Sequence, residues 1–254
     1  MAPDLFNLYF EAVMVDWRAR CWGILGIEVL YKLDGQLMKN ARTKGGQTLM
    51  VEDLAFADDS AGATVSFEKK CAATQLLVDV AAEWGLTVSI TKTKVMPFGI
   101  LGEGGRQSIP VQVAGGDIQH IESVSEFGYL GSVIQGDGNN DKDVELRIGK
   151  ASRGVGVLRN SVFENGHLTI RTKMRVYESV VLSILLYGSE LWILKKRDIR
   201  KLENFHNGCL RGVLGISRGQ QWEQRLTTKE LHREARVIDM ETTIRKRRLQ
   251  WLGC

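Results

Sequence analysis

The chain has 254 residues, 44% of them hydrophobic and 25% charged, and carries a net charge of +4. That makeup excludes a disordered segment, a collagen and a coiled-coil rod, and no apolar run approaches the roughly 20 residues of a membrane-spanning helix. Cys21, Cys71, Cys209 and Cys254 lie far apart with no C-x-x-C pair. Neither a disulfide framework nor a Cys/His zinc site is therefore expected, and the chain reads as soluble and intracellular, with no membrane partner.

The first segment places Leu5, Phe6, Tyr9, Phe10 and Val13 at the spacing of one helical face. Gly26 to Leu33 then alternates into Asp34-Gly35, a dipeptide suited to a tight hairpin. A short apolar run, Leu54 to Ala57, ends in adjacent carboxylates, Asp58 and Asp59, and a second short strand follows. From Ser66, an N-cap, apolar residues at helical spacing run to Trp84, and Gly85 stops the helix. Strands are expected at Leu86 to Ile90, Lys92 to Met96, Ile109 to Val113 and Phe127 to Ile134.

Beyond Gly138 the period changes to that of helices. Val144, Ile148, Ala151, Val155 and Leu158 share one face, as do Met174, Tyr177, Val181 and Ile184. A third helix runs from about Asp198 to Leu214, and a fourth opens on a capping box, Thr227-x-x-Glu230. The fold class is therefore α+β: residues 1–138 mix strands and helices, and residues 139–254 are all helical.

Charge divides near the same place. Residues 1–140 hold 11 Lys and Arg against 17 Asp and Glu, whereas residues 141–254 hold 23 against 13. A basic helical half suits a polyanion, because each phosphate contacted by Lys or Arg releases condensed counterions; solvated helix faces give the same pattern. Asp58 and Asp59 point to a cation: adjacent carboxylates repel, and a hard divalent ion, Mg2+ or Mn2+, would relieve them. An acidic surface turn is the plainer alternative.

Phe56-Ala57-Asp58-Asp59 resembles the F-A-D-D signature of the reverse transcriptases of non-LTR retrotransposons, of the LINE-type, jockey-like group. The surroundings agree in order. Pro3 to Tyr9 resembles the end of that family's template-gripping motif and the helix after it, and Gly85-Leu86-Thr87-Val88 with Lys92 to Met96 resembles its G-L-x-hydrophobic and K-T-x-x-M strand pair. Phe127-Gly128-Tyr129-Leu130-Gly131 resembles its primer-grip hairpin, and Leu185 to Trp192 and Arg248 to Gly253 resemble segments carried after the polymerase core.

The resemblance implies a partial right-hand polymerase palm followed by a helical, thumb-like region, in the service of RNA-directed DNA polymerisation. Asp58 and Asp59 would be the catalytic, metal-holding carboxylates, Lys92 and Lys94 would lie near the incoming deoxynucleotide, and Tyr129, Leu130 and Gly131 near the primer end. Arg171, Lys173, Arg175, Lys195, Lys196 and Arg197 would meet the phosphates of an RNA template and DNA primer. The family's third metal-holding aspartate and its nucleotide-binding fingers have no counterpart in this sequence. Weak metal binding and no catalysis by this chain alone are therefore expected, with a truncated, inert element product as one alternative and a non-catalytic nucleic-acid-binding helical module as the other. The six tryptophans are read as core. Arg245 to Arg248 could act as a nuclear signal or as a solvated helix face, which leaves nucleus and cytoplasm both open.

Overall fold

The computed structural model describes residues 2–31, 47–57, 59–99, 107–113 and 116–253. By packing, the chain divides into two units, Met1–Pro97 with Gly102–Val124, and Ser125–Cys254 with Phe98–Leu101. The fold is mixed α+β. The packing division falls at Val124, ahead of the change in periodicity near Gly138, so the last hairpin groups with the helices.

The first unit opens with α1 (Ala2–Arg20). Strands β1 (Ile27–Tyr31) and β2 (Gln47–Val51) pair antiparallel, with Ile27 opposite Val51. Strands β3 (Asp53–Phe56) and β4 (Asp59–Gly62) form a second antiparallel pair. After α2 (Phe67–Glu83), a small mixed sheet follows: β7 (Ile118–Ser123) lies between β5 (Lys94–Val95), which runs parallel to it, and β6 (Ile109–Gln112), which runs antiparallel. The turn expected at Asp34-Gly35 lies outside the described residues.

Helix α2 is closed at both ends by local chemistry. Ser66 Oγ accepts from the Lys69 amide at 3.3 Å. At the other end Gly85, at φ +72°, lets its own amide reach the Ala82 carbonyl and the Leu86 amide reach Ala81. One face of α2, with Ala73 and Val80, packs on Val13, Met14, Trp17 and Cys21 of and just beyond α1. The neighbouring face, through Val78, packs on Val95, Ile109, Val111 and Ile121 of the mixed sheet.

The strand expected at Leu86 to Ile90 is not formed, and in the segment after it only Lys94 and Val95 pair. Leu86, Val88 and Ile90 do alternate inward, against the two cores. Burial on alternate residues is thus present without a neighbouring backbone to complete a ladder.

The second unit begins with the hairpin β8 (Glu126–Tyr129) and β9 (Ser132–Gln135). Helix α3 (Asp141–Leu158) continues into a π-helical turn, Arg159–Phe163. Helix α4 (Ile170–Val176) runs through a second π-helical stretch, Tyr177–Leu182, into α5 (Ser183–Leu185). Then come α6 (Lys196–Leu214), α7 (Arg218–Glu223), α8 (Thr228–Ala235) and α9 (Met240–Trp251).

The stripe Leu202, His206, Leu210 and Val213 turns α6 inward, onto a core with Val144, Tyr177, Val181, Leu185, Leu231 and Met240. Thr227 and Glu230 form the expected capping box, each side chain holding the other's backbone amide. Among the described residues, no helix is long and apolar enough to cross a membrane.

Candidate functional site

Two hairpins, one in each unit, carry Asp59 and the segment Tyr129 to Gly131 singled out in the sequence. In the first, Phe56 pairs with Asp59 and Ala57 is at φ +55°; Asp58 lies outside the described residues. Asp59 is exposed at the first position of β4. The hairpin is seated at its far end: a Cβ built on Gly62 would come within 2.8 Å of the Trp17 ring. The Trp17 indole is in turn fixed by donating to the Ala73 carbonyl at 2.9 Å. Leu54 and Phe56 turn outward, although a strand beside a core would bury them.

The donor chemistry of Asp59, a hard carboxylate oxygen, is the kind magnesium takes. Among the described residues, no group of three or more His, Cys, Asp or Glu side chains converges to hold a metal ion. Lys94 and Lys92 differ. The Lys94 ammonium is paired with Glu122 at 2.7 Å, whereas Lys92 is exposed with no ion pair among the described residues.

The second hairpin is held more tightly. Leu130 and Gly131, between the paired Tyr129 and Ser132, sit at φ +47° and +81°, so both central residues of the turn are left-handed. That geometry matches strand twist but strains a leucine. Two side chains grip this turn: Arg147 Nη2 donates to the Gly131 carbonyl at 2.5 Å, and the Tyr187 hydroxyl donates to the Leu130 carbonyl at 3.0 Å. The Arg147 guanidinium carbon stands 4.3 Å from the Tyr187 ring centroid, a cation–π stack.

Asp143, one turn before Arg147 on α3, completes the clamp. Its Oδ1 accepts from the Val133 amide of β9 at 3.0 Å, and its Oδ2 from the Trp192 indole at 2.7 Å. It also pairs with Arg147 at 3.8 Å, both side chains being buried. Gly188 makes the last close approach: at φ +73°, it lets the chain pass where a Cβ would meet Ser132 Oγ at 2.9 Å. The segments resembling a primer grip and a post-polymerase motif, Phe127 to Gly131 and Leu185 to Trp192, are therefore brought together by α3.

Asp143 and Arg147 are not among the residues expected from the sequence. The available signal was two opposite charges one helical turn apart, flanking the apolar face that carries Val144 and Ile148.

The six basic residues expected to meet phosphates divide. Lys173 donates to the Phe163 carbonyl at 2.8 Å and Lys195 to Asn139 Oδ1 at 2.5 Å. Arg197 pairs with Asp141 and Asp198, each at 3.4 Å. Arg171, Arg175 and Lys196 are exposed, with no ion pair among the described residues.

The expectation that the tryptophans are core holds for Trp17 and Trp192 alone. Trp22 is 88% exposed, Trp222 85% and Trp251 66%, and Trp84 is also exposed. The buried pair have partners for their indole N–H; an apolar stripe read from spacing does not say which face another element covers.

No protein-family profile matches the chain. No solved structure matches it either. A curated protein of Caenorhabditis elegans, described as an uncharacterized transposon-derived protein, is 28% identical over 182 residues, covering 70% of this chain. The chain spans about 62% of that relative's length. The similarity ties the sequence to a transposon-derived protein.

Proposed function

We propose that this chain is the palm and thumb portion of the RNA-directed DNA polymerase of a non-LTR retrotransposon, with the β8–β9 turn as the element that positions the primer end. The observation that carries this reading is the clamped hairpin. A primer 3′ end must be held to within a fraction of an ångström for in-line attack. A turn whose two carbonyls are both tied down, by Arg147 and Tyr187, offers such a rigid edge.

The order of the F-A-D-D, K-T-x-x-M and F-x-Y-L-G segments supports the same reading, as does the transposon-derived relative. Asp58 and Asp59 would hold the magnesium or manganese ion, and Lys92, outside any ion pair among the described residues, would face the nucleotide phosphates. The bound ion's contribution in nucleotidyl transfer is to activate the primer hydroxyl and neutralise the leaving pyrophosphate. Arg171, Arg175 and Lys196 would steady the template–primer duplex by its phosphates without reading bases.

A DNA primer with a photoreactive group at its 3′ terminus, annealed to an RNA template, tests the reading. The adduct is expected within Glu126 to Gln135; adducts confined to other segments would overturn it. A second reading, a helical nucleic-acid-binding module without catalysis, draws on the basic excess of the second half. It is separated from the first by the same experiment, which would then place adducts on the helices alone.

A further inference from the structure

Three arginines on α6, on α7 and in the loop after α7 meet around an open groove of about 890 Å3 in the second unit. Arg211, Arg218 and Arg225 line it with Gln221 and Trp222, and no Asp or Glu is among the lining residues. Arg211 spends one guanidinium N–H on Gln221 Oε1 at 3.2 Å. Burial, and then the like charge of Arg218, hold the Arg211 guanidinium below its ordinary value.

The framework of the groove is fixed. Ser217 and Gln220 cap α7 reciprocally, and the Gln221 side chain donates to the Leu226 carbonyl at 3.1 Å. The Arg225 backbone is in the left-handed region, φ +49°, with its amide bonded to the Trp222 carbonyl. The Leu226 amide returns to the Gln221 carbonyl at 2.9 Å, so Arg225 closes α7 in the left-handed conformation common at helix ends and stands in a lining that holds no counter-charge. Trp222 lines the same groove with its ring in solvent, where neither burial nor a partner among the described residues accounts for it.

We infer that this groove binds a single-stranded nucleic acid, its phosphates on Arg211, Arg218 and Arg225 and an unpaired base stacked on the Trp222 indole. Guanidinium forks match phosphate oxygens, and no carboxylate in the lining competes for them. An exposed indole beside a phosphate site selects a single strand, because a base inside a duplex has both faces stacked already. None of the hairpin residues lines the groove, and the inference does not rest on the polymerase reading.

The test is fluorescence anisotropy of a labelled 12-nucleotide DNA or RNA strand titrated with the full-length chain. Arg218→Gln/Arg225→Gln and Trp222→Ala alter exposed side chains; Arg153→Gln/Lys246→Gln removes the same charge elsewhere, and circular dichroism checks each fold. Loss of two phosphate contacts is expected to reduce the salt slope by about 1.4. Trp222→Ala should weaken binding by about 10-fold, the scale of one base stack. The control pair, on α3 and α9 and outside the groove's lining, should leave the affinity within about twofold.

Equal losses in the control pair would overturn the proposal in favour of diffuse charge attraction. So would unchanged binding in Trp222→Ala, or a blunt duplex of the same length binding as tightly as the single strand. Displacement of the strand by polyglutamate as effectively as by unlabelled strand would overturn it in favour of an acidic protein partner.

Discussion

Arg147 lies over the Tyr187 ring, and the two side chains then reach adjacent carbonyls of one turn, Gly131 and Leu130. A guanidinium and a phenol from elements some 40 residues apart in sequence thereby act together, each fixing half of a two-residue loop. The cost is a buried charge, which Asp143 offsets while satisfying the Val133 amide and the Trp192 indole.

Removing one member of this pair strands the other. Arg147→Met keeps the volume of the side chain but leaves Asp143 buried with its negative charge, and should cost about 3 kcal/mol or more. Urea denaturation measures this directly. A midpoint equal to that of the unaltered chain would show that the pair does not hold the hairpin.

Two glycine substitutions should move stability in opposite directions. Gly188→Ala meets both a left-handed backbone and Ser132 Oγ at 2.9 Å, and a strained residue of this kind costs about 1–3 kcal/mol. Gly149, inside α3, has nothing within 4 Å of an added Cβ. Gly149→Ala should therefore stabilise by about 0.5–1 kcal/mol through lower chain entropy in the unfolded state. Thermal melts of both variants check the pair; stabilisation by Gly188→Ala would contradict the close approach.

The carboxylate turn makes a prediction about metal. Manganese binding to the full chain is expected in about the millimolar range, because two carboxylates supply fewer charged ligands than tight sites use. Asp58→Asn and Asp59→Asn should each weaken it while costing little stability, since each relieves the repulsion between neighbours. Calorimetric isotherms that coincide for all three proteins would sink the metal site.

A buried histidine sets an acid limit. His206 is bonded to the Tyr177 hydroxyl at 2.8 Å and faces the His232 ring at 5.4 Å, with no partner for Nε2 among the described residues. Burial, and then the neighbouring His232, lower it from 6.5 to about 4. A group whose folded value is depressed binds its proton more readily when unfolded, so stability falls as pH drops from about 6.5 towards 4 and levels off below that. The loss should approach roughly 3 kcal/mol. His206→Gln should flatten the curve over that window; an unchanged acid slope would assign the loss to other groups. Cys209 does not enter this window: a thiol ordinarily titrates well above it, and burial pushes this one further up, to about 12.

The sequence alone indicated the α+β class, the switch to helices beyond Gly138 and the Ser66 and Thr227 caps, whereas Phe127 to Ile134, read as one strand, folds back at Leu130 and Gly131 into the β8–β9 hairpin. Each rests on contacts within one or two turns or across one tight loop, and such contacts survive in any tertiary setting. Leu86 to Ile90 shows the limit of that locality: its alternation is real in burial, yet a strand also needs a partner backbone, which spacing on one segment cannot report. The tryptophans show it again, since Trp192 and Trp222 look alike in sequence and, among the described residues, only Trp192 has an acceptor, Asp143, 49 residues away.

What only the tertiary structure decided is which charges meet. Lys94 and Arg197 are drawn into ion pairs while Lys92, Arg171 and Arg175 make none among the described residues; Asp143 and Arg147 become a buried clamp; and Arg211, Arg218 and Arg225 crowd one groove without a carboxylate. Composition can count these charges, and helical spacing can put them on a face. Their partners come from other elements, across separations that local chemistry does not encode, and an ion's energy depends on the partner and the solvent around it rather than on its neighbours along the chain.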